Sequence, residues 1–98
     1  MEKFTLELIV SNQYGVLNRI TGLYAKRGYN IDSLYANETE NPASSRMLIT
    51  SRGDKYTQTQ MVRQLEKLYD VQQVTLMAHI NSATYAGYNT NIINKLSK

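Results

Sequence analysis

Cysteine and tryptophan are absent from the 98-residue sequence, and proline and histidine occur once each. Without cysteine there is no disulfide framework, no thiolate nucleophile and no zinc–cysteine site, which fits a reducing compartment. No apolar run approaches the roughly 20 residues that a membrane-crossing helix needs. The first residues, MEKFTLELIV, carry an acid at Glu2 and alternate like a strand, unlike a secretion signal. The expectation is a cytoplasmic protein with no membrane partner.

The shortage of histidine and cysteine also limits chemistry. His79 has no metal-ligand partner at a helical or hairpin spacing and reads as an ordinary strand-end residue. The sequence contains no P-loop, no G-x-G-x-x-G and no nucleophile elbow. Asp32 and Glu38 share a predicted strand, where carboxylates are usually solvated. No catalytic residue, metal site or cofactor is therefore expected on this chain.

The formal charge of +3 invites a nucleic-acid reading, but Lys95 and Lys98 lie at the C-terminal end. Up to His79, nine Lys and Arg stand against eight Asp and Glu, and the basic residues are scattered along the sequence. That pattern reads as a solvated mixed-charge surface rather than a polyanion-binding stripe.

What the sequence does contain is periodicity. Phe4, Leu6, Leu8 and Val10 alternate with Thr5, Glu7 and Ile9, the period of a strand with one buried face. Val16, Leu17, Ile20, Leu23 and Tyr24 then take helical spacing, and Gly28 behind Lys26 and Arg27 ends a helix predicted over 16–27. Tyr29 to Glu38 reads as a second strand, 39–43 as a turn around the single Pro42, and Ser45 to Arg52 as a third strand. Met61, Val62, Leu65, Leu68 and Tyr69 mark a second helix ending at Asp70, and Val71 to Ala78 a fourth strand with Val74, Leu76 and Ala78 in register.

The order is βαββαβ, which predicts an α+β, ferredoxin-like domain over 1–79: a four-stranded antiparallel sheet with two helices on one face. Residues 80–98, rich in Asn, Ser, Thr and Tyr, read as a polar C-terminal extension, loosely ordered or packed on a neighbour, with a short helix at its end. A chain this short gains stability from covering apolar surface with a second copy. RNA-recognition modules share this strand order but stack bases on an aromatic third strand. Here that strand reads SSRMLITS, with no aromatic residue. An orphan interaction or RNA-binding module of the same fold stands as the alternative reading.

The stretch SNQYGVLNRITGLYAKRGYNIDSL, residues 11–34, holds the candidate site. The amides of Val16 and Leu17 start a helix and are open donors at the positive end of its dipole, where a carboxylate can bind. Gly15 lets a ligand approach the backbone, and Asn12 offers both a donor and an acceptor. Asn12 and Gly15 are equally the usual residues of a plain turn, so local pattern leaves both readings open.

Asn12-x-x-Gly15-x-Leu17-x-Arg19, Gly22-Leu23, the run Arg27-Gly28-Tyr29-Asn30-Ile31-Asp32-Ser33-Leu34, Pro42-x-x-Ser45-Arg46-Met47 and Gln64-Leu65-x-Lys67-Leu68-x-Asp70-Val71 together resemble the small regulatory subunit of acetohydroxyacid synthase (acetolactate synthase). The likeness covers about Phe4 to Met77. It implies a non-catalytic ACT domain, the βαββαβ amino-acid sensor, which pairs as a homodimer and binds a branched-chain amino acid such as valine between two copies. Such a subunit modulates a catalytic subunit that carries thiamine diphosphate, magnesium and flavin. Carried over by position, Asn12, Gly15, Val16 and Leu17 of one copy would hold the ligand's charged ends, with Asn30 and Ile31 contributed by the other. Longer family members continue into a second domain that residues 80–98 do not resemble. Tyr14 places a large ring where many relatives have a small residue.

Overall fold

Alternation along β1 (Lys3–Ser11) sets the architecture, because Phe4, Leu6, Leu8 and Val10 all turn to one face and are buried there. The computed structural model describes residues 2–77. In it β1 is followed by α1 (Val16–Lys26), β2 (Ser33–Glu38), β3 (Ser44–Arg52), α2 (Lys55–Glu66) and β4 (Val71–Met77). The sheet is antiparallel with the order β2-β3-β1-β4, so β1 and β3 are central and β2 and β4 are edges. This is the expected ferredoxin-like α+β arrangement. Ala78, His79 and the extension 80–98 lie outside the described residues.

The core forms where the helical stripes meet the inner sheet face. Val16, Leu17, Ile20 and Tyr24 of α1 and Met61 and Leu65 of α2 pack with Leu6, Leu8, Val10, Met47 and Ile49. Each large side chain removed from water in this way contributes about 1.5–3 kcal/mol.

α1 ends in a Schellman motif. Gly28 sits at φ +74°, its N–H donates to the Ala25 carbonyl at 3.0 Å, and the Tyr29 N–H donates to the Tyr24 carbonyl at 2.9 Å. That closure occupies Tyr29, so β2 begins at Ser33, four residues later than its predicted start. The second helix also differs from expectation. It starts at Lys55, where the Asp54 carboxylate accepts the Thr57 N–H at 2.9 Å, and its last amides switch to three-residue bonds, Lys67 to Gln64 and Leu68 to Leu65. Leu68 still packs against the core from beyond the helix.

β4 carries a bulge. Val10 pairs with Val71 but Ile9 pairs with Gln73, which leaves Gln72 as the extra residue. Val71 and Val74, three apart, therefore both reach the core, while Leu76 is half exposed at the edge despite standing opposite Leu6.

The other sheet face is not wholly polar. Leu48 is buried there, opposite Glu7 and Tyr35. Around it the Arg46 guanidinium meets Glu7 at 3.3 Å, and the Thr5 and Thr50 hydroxyls share a 2.8 Å hydrogen bond.

Charges scattered in sequence are sorted by the fold. The two helices with their flanking caps hold six basic residues (Arg19, Lys26, Arg27, Lys55, Arg63, Lys67) against Asp54 and Glu66, all exposed. The strands and their neighbouring turns hold Lys3, Arg46 and Arg52 against six acids, Glu2, Glu7, Asp32, Glu38, Glu40 and the buried Asp70. The mixed-charge surface expected from the sequence is thus a basic helical layer over an acidic sheet.

Candidate functional site

The β1–α1 turn, residues 11–15, is fastened from two sides by backbone bonds. The Ser11 N–H donates to the Asp70 carbonyl at 2.7 Å and the Asn12 N–H to the Ala43 carbonyl at 2.8 Å. These tie it to the start of β4 and to the β2–β3 turn. Gly15 takes φ +81°, and from there α1 starts with no side-chain cap and no acid in its first turn. The first bond of full helical span runs from the Arg19 N–H to the Gly15 carbonyl at 3.0 Å, and the Val16 N–H reaches only the Gln13 carbonyl at 3.5 Å. The helix start thus presents weakly engaged donors at a positive dipole end.

Asn12 lies beside this end. Its carboxamide donates to the Pro42 carbonyl at 3.2 Å, while its Oδ1 is buried with no hydrogen-bond partner. A buried acceptor left open is uncommon in folded proteins. Val16 and Leu17 lie in the core, so their side chains do not wall a pocket, and what they offer a ligand is backbone.

Asn30 and Ile31 lie beyond the other end of α1, past the Schellman turn. Asn30 is exposed and Ile31 packs partly against the core. An 11-residue helix rises about 16 Å. One chain therefore does not bring the Asn12–Leu17 group and the Asn30–Ile31 group together. Asn30 borders a cleft of about 340 Å³ with Gly28, Tyr29, Arg52, Gly53 and Thr57, a volume at the lower end of small-molecule sites. Arg52 is held there by Asp32 at 2.9 Å.

Two residues to which sequence reasoning gave no role brace the turn. Asp70 is almost fully buried; its Oδ2 accepts the Arg19 Nε–H and its Oδ1 has no partner. Arg19 Nη2 reaches the Tyr14 carbonyl at 3.4 Å, and the guanidinium stands 5.7 Å from the centre of the exposed Tyr69 ring. The hydrogen bond that Arg19 donates to Asp70 is the main cause that holds Arg19 even more firmly protonated than usual. Fifty-one residues separate the pair, so no local pattern could reveal it.

Comparison with known proteins bears on the family and the fold. Residues 6–73 match the family model described as the AHAS small subunit-like ACT domain. Over 70 residues the chain is 43% identical to the acetolactate synthase isozyme 3 small subunit of Escherichia coli (strain K12), a match spanning 71% of this chain and 43% of that protein. It is 41% identical over 69 residues to the probable acetolactate synthase small subunit of Methanothermobacter thermautotrophicus, spanning 70% of this chain and 41% of that one. The crystal structure of the acetolactate synthase small subunit from Thermotoga maritima superposes with a TM-score of 0.73 at 36% identity, covering 78% of this chain and 47% of that chain. The match thus spans less than half the length of each of these relatives.

Proposed function

From the premise that this chain belongs to the AHAS small subunit-like ACT domain family, we propose that it is the regulatory small subunit of an acetolactate synthase. In this reading it has no catalytic role, pairs as a homodimer, binds a branched-chain amino acid such as valine between two copies, and modulates a thiamine-diphosphate-dependent catalytic subunit on another chain.

The observation that carries the proposal is the pairing, at one turn, of an uncapped helix start with the open Oδ1 of Asn12. A free amino acid presents the complementary pair of charges. Its carboxylate is received by the Val16 and Leu17 amides at the positive end of α1, and its ammonium donates to Asn12 Oδ1. Gly15 keeps that approach free of a side chain. Asn30 and Ile31 of the second copy then close the site, which accounts for the two groups standing at opposite ends of one helix. A ligand held between copies favours the paired geometry over others and shifts the catalytic subunit's activity to the extent that it binds one state better.

Calorimetric titration of the full chain with valine, leucine and isoleucine tests the reading. Saturable binding is expected, weakened about tenfold or more in Asn12→Ala, since a hydrogen bond to a charged group contributes roughly 1.5–3 kcal/mol. A folded protein that binds none of the three, and that leaves the activity of the catalytic subunit unchanged, would overturn it.

A further inference from the structure

Five of the six cations on the helical layer, Lys26, Arg27, Lys55, Arg63 and Lys67, form no ion pair among the described residues. On the sheet side, by contrast, Arg46 and Arg52 are both neutralised by acids. Apart from Lys3, the unpaired cations among the described residues therefore collect on one face. Between the end of α1 and α2 this face also holds a cleft of about 130 Å³, lined by Arg27, Tyr29, Tyr56, Gln60, Met61 and Gln64. That volume is well below the roughly 300–1,000 Å³ of metabolite sites but admits one anchoring side chain. Tyr56 stands 73% exposed at its rim.

We infer that the helical layer is the docking face for an acidic segment of a protein partner. Resting on the reading above, that partner is the catalytic subunit. The charge supplies steering and register, and the cleft supplies the anchor. Exposed cations spread over a layer attract carboxylates at long range and raise the association rate. Tyr, Met and Arg around a small pocket are the residue types enriched at the centres of protein interfaces, where a few anchors carry most of the binding energy. A nucleic acid fits less well, because single-strand binders stack successive bases along an extended groove, whereas the two tyrosines here border one small cleft. The β1–α1 turn lines neither cleft and Asn30 borders only the larger one, so the anchoring cleft includes none of the residues proposed to hold the amino acid.

The test measures association of the full chain with the acetolactate synthase catalytic subunit from low to physiological salt. Arg27→Glu/Arg63→Glu is compared with Arg27→Gln/Arg63→Gln and with the sheet-side control Lys3→Glu, each checked for an unchanged thermal transition. The expected result is salt-sensitive binding, weakened about tenfold or more by the double reversal, less by the double neutralisation, and little by Lys3→Glu. Binding by the unaltered chain that the double reversal leaves intact, or that Lys3→Glu weakens equally, overturns the docking face and leaves the regulatory reading standing. No complex with the unaltered chain overturns both. Tight binding of poly-uridylate at physiological salt, lost in the double reversal, reassigns the face to nucleic acid and overturns the inference.

Discussion

Gly15 and Gly28 sit at the two ends of α1 with nearly the same left-handed backbone, φ +81° and +74°. Replacing each with alanine therefore imposes a similar backbone cost, about 1–2 kcal/mol. Their surroundings differ. A Cβ on Gly28 would meet no heavy atom within 4 Å, whereas one on Gly15 would stand 3.0 Å from Arg19 Nη1. Arg19 cannot swing away freely, since Asp70 and the Tyr14 carbonyl hold its guanidinium. The crowding adds about 1 kcal/mol, the lower end of the cost of overpacking. Gly28→Ala is thus expected to lose about 1–2 kcal/mol and Gly15→Ala about 2–3 kcal/mol. In a domain of this size each kcal/mol lowers the thermal midpoint by roughly 4–8 °C. Urea unfolding of both variants, repeated in an Arg19→Ala background, separates the two contributions through a double-mutant cycle. Removing Arg19 should bring the Gly15 cost down to that of Gly28. Equal losses for the two glycines, or an excess that survives Arg19→Ala, would refute the brace as the reason the turn requires glycine.

Two further outcomes follow from buried and capping groups. The Tyr24 hydroxyl is buried with no partner, so Tyr24→Phe is expected to be neutral or to stabilise by about 1 kcal/mol. Burial also pushes the Tyr24 phenol well above its ordinary value. A folded-state value above the unfolded one gives stability that is full below about pH 10 and lost as pH rises further. Tyr24→Phe should remove that alkaline loss, and identical alkaline unfolding curves would contradict it. Asp54 titrates below the ordinary carboxylate value, chiefly because it accepts the Thr57 backbone N–H. Its contribution is therefore present above the unfolded value and lost as pH falls through the folded one. Asp54→Ala should unfold at lower urea than the unaltered chain at neutral pH, with the gap closing below about pH 4; a gap independent of pH would count against the cap.

The parts of this fold that were legible in the sequence are those set by short-range repetition. Strict alternation gave β1, the spacing of Val16, Ile20 and Tyr24 gave α1, and Gly28 marked its end. The strand order followed from counting elements. What escaped were features that depend on distant partners or on a break in the repeat. The helix-ending closure at Tyr29 delays β2, and the bulge at Gln72 turns Val71 inward against the period. The positive layer is assembled from residues spread between positions 19 and 67, so linear spacing conceals it. At the site, Asn12 and Gly15 were legible as turn residues. The open Oδ1 and the Arg19–Asp70 brace come from packing across the sheet.

The extra residue at Gln72 makes the length of the α2–β4 joint as restrictive as its composition. Deleting it would leave Val71 and Gln73 opposite Val10 and Ile9 in an unbroken ladder, but it would take away the bend of the bulge and the acceptor of the Ser44 hydroxyl. Homologous chains that differ in length should therefore keep the count between Leu65 and Val74 fixed.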